Sequence, residues 1–207
     1  MGQKIGIMGG TFDPIHIGHL ILGEAAQQQF GLDKVLYMPA GNPPHKRHRE
    51  GRATDEQRTE MVRLAIEDNP HFELSMMEMN ADGYSYTYRT LERFKAEHPE
   101  NEYYFIIGAD SLYDFDQWKE PQRICNAGHI ICATRNQTPS EEFQALLEKR
   151  RQQYNGDFLL LDSPNLDISS NNLRRMIAEG KSVRYYIRYA VIRYIKENKI
   201  YTQREMD

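Results

Sequence analysis

The sequence predicts an α/β fold: a doubly wound, mostly parallel sheet of about six strands with helices on both faces and a helical segment near the C-terminus. Three observations lead there. Short apolar runs recur at Lys4 to Met8, Val35 to Met38, Phe72 to Met76, Tyr103 to Ile107, His129 to Ala133 and Phe158 to Leu161, and each reads as a strand buried on both faces. Longer amphipathic stretches lie between them, and strands that alternate with helices must run parallel, because parallel neighbours need a crossover. With 207 residues, 40% of them hydrophobic and 27% charged, the chain can bury a sizeable core without disulfides or a structural metal. No repeat or low-complexity segment divides it, so one domain over residues 1–207 is expected.

Taken in order, the first strand runs into the turn GGTFDPIHIGH, and a helix from His19 to Phe30 follows. After the second strand, the segment from Ala40 to Arg52 has glycine, two prolines and a crowd of cations but no periodicity, which predicts a surface loop of the kind that closes over a site. Thr54 with Gln57 makes a capping-box start for a helix from Asp55 to Glu67. Amphipathic patterns predict further helices from Thr87 to Glu97 and from Glu141 to Tyr154. Two more close the chain, Asn171 to Glu179 with Gly180 as its C-terminal cap, and Tyr186 to Asn198. Tyr185, Tyr186, Tyr189 and Tyr194 recur there at helical spacing, which predicts core and interface packing. In such a Rossmann-like sheet, ligands bind at the carboxyl ends of the strands where the strand order reverses.

Composition narrows the partners. Lys plus Arg number 26 against 30 Asp plus Glu, and a net charge of -4 gives no general attraction to nucleic acid or to an anionic membrane. Neither is expected as a partner, and any phosphate binding must be local. Cys125 and Cys132 form no CxxC pair, and neither a signal-peptide pattern nor a bilayer-length apolar run appears, which predicts a reduced, cytoplasmic protein. A homo-oligomer is compatible with the sequence.

The chemistry concentrates in the first turn. Paired glycines, Gly9 and Gly10, follow a strand and lead through Thr11 and Phe12 to a helix start, where unpaired N–H groups and the positive end of a dipole favour an anion. His16 and His19 lie three positions apart around that start and can donate to phosphate oxygens from one side. The spacing is not GxGxxG and no GxxxxGK[ST] occurs, so hydride-transfer and P-loop readings lose their support. His45 and His48 could join the first two histidines around zinc, but no cysteine or carboxylate spacing accompanies them, and no metal site is expected.

From Gly10 to His19 the segment matches every specified position of GxFDPxHxGH and so resembles the nucleotidylyltransferase family. A second family element, usually ISSTxIR, is similar to Ile168, Ser169, Ser170, Asn171, Asn172, Leu173, Arg174, with Asn171 standing in place of the threonine. Ser169 or Ser170 can cap a helix there, and Arg174 one turn on offers phosphate a fork of donors. NPPHK at Asn42 to Lys46, SYT at Ser85 to Thr87, and GAD at Gly108 to Asp110 followed by Trp118 narrow the resemblance to bacterial nicotinate-nucleotide adenylyltransferases. Arg89 stands where that group commonly has aspartate, and Arg188 where it commonly has proline.

The resemblance implies adenylyl transfer from ATP to nicotinate mononucleotide, with Mg²⁺ carried by the triphosphate. It implies His16, His19, Lys46 and Arg174 as the catalytic group, and Gly9, Gly10, Thr11, Phe12, Gly108, Asp110, Ile168, Ser169 and Ser170 around ATP, Asp110 accepting from a ribose hydroxyl. Trp118 would stack on the pyridine ring, while Thr87 and the chain near Lys119 would receive the nicotinate carboxylate. Arg135 is a minor candidate for the mononucleotide phosphate. Two rivals remain at this stage: a related transferase with a phosphopantetheine or cytidylyl acceptor chemistry, and a nucleotide-binding regulatory module that performs no chemistry.

Overall fold

The computed structural model describes residues 2–41, 51–79, 85–134, 140–164 and 166–202. Along them run β1 (Lys4–Gly10), α1 (Ile17–Phe30), β2 (Lys34–Pro39), α2 (Asp55–Ile66), β3 (Phe72–Leu74), α3 (Thr87–Glu97), β4 (Glu102–Gly108), α4 (Ala109–Tyr113), α5 (Pro121–Ala127), β5 (His129–Ala133), α6 (Glu141–Tyr154), β6 (Phe158–Leu161), α7 (Ser170–Ala178) and α8 (Tyr189–Glu197). The strands form one six-stranded sheet in the order β3-β2-β1-β4-β5-β6. Every recorded pairing is parallel, so the sheet is parallel throughout these elements rather than mostly so.

Side-chain alternation divides the core between the two faces of the sheet. Along β4, Tyr103, Phe105 and Ile107 enter a cluster with Leu91 and Phe94 of α3, Ile124 of α5 and Phe143 of α6. Tyr104 and Ile106 enter the opposite cluster, with Ala26 of α1, Val62 of α2 and Val191 and Ile195 of α8. Strands covered on both faces read as near-continuous apolar runs, which is why they stood out in the sequence.

The strand order reverses between β1 and β4, and there the sheet splits. Their ladder ends at Ile7 opposite Phe105. Beyond that point β1 stays with β2 up to Gly10 opposite Pro39, while β4 stays with β5 up to Gly108 opposite Ala133. The two strand ends therefore part, and the gap between them is a crevice floored by backbone.

Several boundaries differ from expectation for local reasons. β3 stops at Leu74 instead of Met76, and α1 starts at Ile17, two residues before His19. α8 begins at Tyr189 instead of Tyr186, because Tyr185 takes a left-handed φ of 71° and ends regular backbone before the helix. Of the tyrosines there, Tyr194 packs partly buried against the core, whereas Tyr185 is 85% exposed and Tyr189 73%, and Val183, Ile187, Val191 and Ile195 face the sheet. The helices α4 and α5 had no counterpart in the sequence pattern. Two caps are as read. The Gln57 N–H donates to Thr54 Oγ1 while the Thr54 N–H donates to Gln57 Oε1, and Gly180, at φ 69°, follows α7. Among the described residues no helix is long and apolar enough to cross a membrane.

Candidate active site

A cleft of about 330 Å³ opens where β1 and β4 part. Its wall includes Gly9 from the end of β1, Gly108 and Asp110 from the end of β4 and the start of α4, Ala133 from the end of β5, His16 at the N-cap of α1 and His19 in its first turn, and Ile168 before α7. A Cβ added at Gly108 would meet nothing within 4 Å, so packing within the protein does not demand glycine there. At Gly10 the reason is internal, since a Cβ would lie 3.0 Å from the Phe12 ring. Phe12 itself is buried at a left-handed φ of 47° and stacks edge-on against His19, 5.0 Å between ring centres. It supports an imidazole from behind instead of lining the cleft.

The two histidines form one unit. Their rings stack with centres 3.7 Å apart, and the His16 N–H donates to Nδ1 of His19 at 3.2 Å. A backbone N–H can only donate, so Nδ1 of His19 is an acceptor and the neutral ring carries its proton on Nε2. Burial lowers the pKa of His16 to about 4 and holds that of His19 well below the usual range, with the neighbouring His16 lowering it further. Both rings are neutral donors near pH 7. Nδ1 of His16 is buried with no hydrogen-bond partner among the described residues. The close fit extends to Gly18, where a Cβ would come within 3.1 Å of that nitrogen.

The second motif is joined to the first by hydrogen bonds. Ser169 caps α7 by accepting from the Asn172 N–H, so of the two serines it is the cap. Ser170 donates its hydroxyl to the Pro14 carbonyl at 2.9 Å, and Arg174 Nη1 donates to the Asp13 carbonyl at 2.5 Å. Asn171, the departure from the family's threonine, accepts from Nη2 of Arg174 at 2.9 Å. Of the ATP-binding expectations, Gly9, His16, His19, Gly108, Asp110 and Ile168 border the cleft. Gly10, Thr11, Phe12, Ser169, Ser170 and Arg174 do not line it. Lys46 and Arg135, with His45 and His48, lie outside the described residues.

Sequence reasoning passed over the residues that hold the turn. Buried Arg58 on α2 donates to the Thr11 carbonyl and the Ala40 carbonyl, both at 2.7 Å, and to Asp55 at 2.6 Å. Buried Asp13 pairs with Arg52 at 2.8 Å and accepts from the Tyr201 hydroxyl at 2.6 Å. Asp13 belongs to the first motif, but no short-range pattern marks Arg58 or Tyr201, since their partners lie far along the chain.

Trp118, Thr87 and Lys119 do not border this cleft. Trp118 is half-buried, with its ring edge-on to Phe105 and tilted against Phe115 at 5.5 Å. Thr87 opens α3, and Lys119 is exposed just after Trp118. Arg89 lies 5.4 Å from the centre of the Tyr86 ring and donates to the Tyr88 hydroxyl, while Arg188 pairs with Asp68 at 2.5 Å. Among the described residues no group of three or more His, Cys, Asp or Glu is placed to hold a metal ion.

Comparison with known proteins identifies the family. The family described as cytidylyltransferase-like matches residues 7–176. A protein of Desulfitobacterium hafniense named "Probable nicotinate-nucleotide adenylyltransferase" is 41% identical over 96% of this chain and 96% of its own. One of the same name from Lachnoclostridium phytofermentans is 38% identical over 96% of this chain and 99% of its own. In fold, the chain is similar to Plasmodium falciparum nicotinic acid mononucleotide adenylyltransferase complexed with NaAD, with a TM-score of 0.77 at 21% identity over 96% of this chain and 97% of that one. By sequence across nearly its whole length, the chain belongs to the nicotinate-nucleotide adenylyltransferases, a branch of the cytidylyltransferase-like family of nucleotidyltransferase enzymes.

Proposed function

We propose that the chain transfers the adenylyl group of ATP to nicotinate mononucleotide, giving nicotinate adenine dinucleotide and pyrophosphate. The observation that carries this reading is the stacked His16–His19 pair at the crevice where β1 and β4 part, with glycine at both strand ends. Glycine backbone and imidazole N–H groups facing one cleft suit a polyphosphate.

A phosphate oxygen of the mononucleotide attacks the α-phosphorus of ATP, a new P–O bond forms, and the bond to the β-phosphate oxygen breaks. The nucleophile is already an anion, so no protein nucleophile is needed. Catalysis rests on holding two mutually repelling anions in line and on stabilising charge that builds on pyrophosphate. Nε2 of His19 donates to the triphosphate, joined by His16, Arg174 and Lys46. Asp110 accepts from the ATP ribose, Trp118 stacks on the pyridine, and Thr87 with the chain at Lys119 receives the carboxylate. A divalent cation such as Mg²⁺ would arrive with the triphosphate and would neutralise part of its charge.

Pyrophosphate release tests this. With ATP and Mg²⁺, turnover is expected with nicotinate mononucleotide and little with phosphopantetheine. Nicotinamide mononucleotide run in parallel measures the preference for the acid. ATP binding without pyrophosphate release on any acceptor would leave a regulatory module in its place.

A further inference from the structure

The turn between β1 and α1 is tied to the far end of the chain through one carboxylate. Asp13 is 2% exposed. Its Oδ1 accepts from the Tyr201 hydroxyl at 2.6 Å and from the Ala53 N–H at 3.2 Å. Its Oδ2 lies 2.8 Å from Nη1 of Arg52 and 3.7 Å from Nη1 of Arg174. One carboxylate thus serves two guanidinium groups, and a unit of positive charge is left over for an incoming anion.

Tyr201 is placed there by deliberate backbone. Lys199 and Tyr201 take left-handed φ angles of 50° and 63°, which residues with a Cβ rarely adopt. These turns bring the buried Tyr201 ring back from the end of α8 to the first motif, with its hydroxyl also 3.9 Å from the Met61 sulfur. Sterically disfavoured backbone persists where the surroundings over-determine it, and the bond to Asp13 is the polar contact it secures.

We propose that Tyr201 is a positioning residue for adenylyl transfer, acting through Asp13 on Arg174. The inference rests on the reading of Arg174 as a triphosphate-binding group. With Oδ1 held by two donors, the carboxylate cannot rotate, and Oδ2 stays shared between the arginines. Arg174 is then fixed by Nη1 to the Asp13 carbonyl and by Nη2 to Asn171, with further N–H groups of its fork left for phosphate. Without the hydroxyl, the carboxylate can turn towards a full pair with Arg174 and draw that cation away from the substrate.

The test is Tyr201→Phe, in the otherwise unaltered chain and in an Arg174→Ala background, with pyrophosphate release measured against both substrates and melting temperature recorded. In the first background kcat/KM for ATP is expected to fall about tenfold, the scale of one charge-assisted hydrogen bond, with KM for nicotinate mononucleotide unchanged. In the second, Tyr201→Phe is expected to cost nothing further, because its effect runs through Arg174. Ile195→Val, in the same apolar cluster, controls for stability: it is expected to lower the melting temperature and leave both kinetic constants unchanged. The same loss in both backgrounds, or no loss in either, would overturn the proposal while leaving the site reading intact. Full activity in Arg174→Ala alone would remove the triphosphate role of that arginine and the proposal with it.

Discussion

The His16 backbone N–H donates to Nδ1 of His19 at 3.2 Å, and this single contact decides what the second imidazole can offer a substrate. With Nδ1 occupied as an acceptor, the ring proton sits on Nε2. Burial keeps both rings neutral, so the cleft presents fixed N–H dipoles. Under the proposed function, full positive charge would come from other side chains, Arg174 among them. Dipoles already oriented need no reorganisation as charge builds on the leaving group, which is where such donors contribute most.

His19→Ala is therefore expected to lower kcat by roughly a hundredfold to a thousandfold, the usual effect of losing one donor that acts mainly in the transition state. The fold is expected to survive, as circular dichroism and the melting curve would show. Near-normal pyrophosphate release would remove His19 from the chemistry.

The buried histidine also makes stability depend on pH. His16 in the folded chain stays neutral down to pH about 4, whereas in the unfolded chain it takes up a proton near 6.5. Between those values the unfolded state binds more protons, so stability falls as pH drops through that window and is fully present above it. The shift corresponds to about 3 kcal/mol across the window. Denaturant titrations at pH 7 and pH 4.5 should show a smaller loss on acidification for His16→Asn than for the unaltered chain. Equal losses would mean that His16 does not carry the effect.

Gly108 separates ligand contact from protein packing. Its φ of -80° and ψ of 168° suit alanine, and a Cβ would meet no protein atom within 4 Å. Gly108→Ala is expected to leave the melting temperature unchanged or slightly higher and to raise KM for ATP on the order of tenfold, because a methyl group would enter the nucleotide's space. An unchanged KM would place the nucleotide away from the end of β4.

The strands and the first motif were legible for physical reasons. Strands buried on both faces leave apolar runs, and a phosphate turn at a strand end needs glycines and donors close together in sequence. The braces of that turn were not legible. Arg58 holds the carbonyl of Thr11, 47 positions away, and Tyr201 reaches Asp13 across 188. Nothing local distinguishes either from an ordinary helical arginine or a C-terminal tyrosine. The short helices α4 and α5, of five and seven residues, span too few turns to show a periodic stripe. The tyrosines exposed before and within α8 are not core residues, because spacing shows only that residues share a face, whereas Val191 and Ile195 occupy the face that meets the sheet.

Trp118 gives the sharpest separation between the two substrates. Its indole is half-buried against Phe105 and Phe115 and is absent from the cleft wall assigned to ATP. A ring held on two aromatic neighbours with part of its surface exposed can take another flat ring, and such stacking contributes about 0.5–1.5 kcal/mol beyond the area buried. Trp118→Ala is expected to raise KM for nicotinate mononucleotide about tenfold while KM for ATP changes less than twofold. Trp118→Phe keeps a flat ring on the same neighbours and should recover most of the loss. Initial-rate measurements with each substrate varied in turn decide the matter. If Trp118→Ala changed both constants alike, or if phenylalanine restored nothing, the indole would be a packing residue of the α4–α5 connection and the pyridine would have to bind elsewhere.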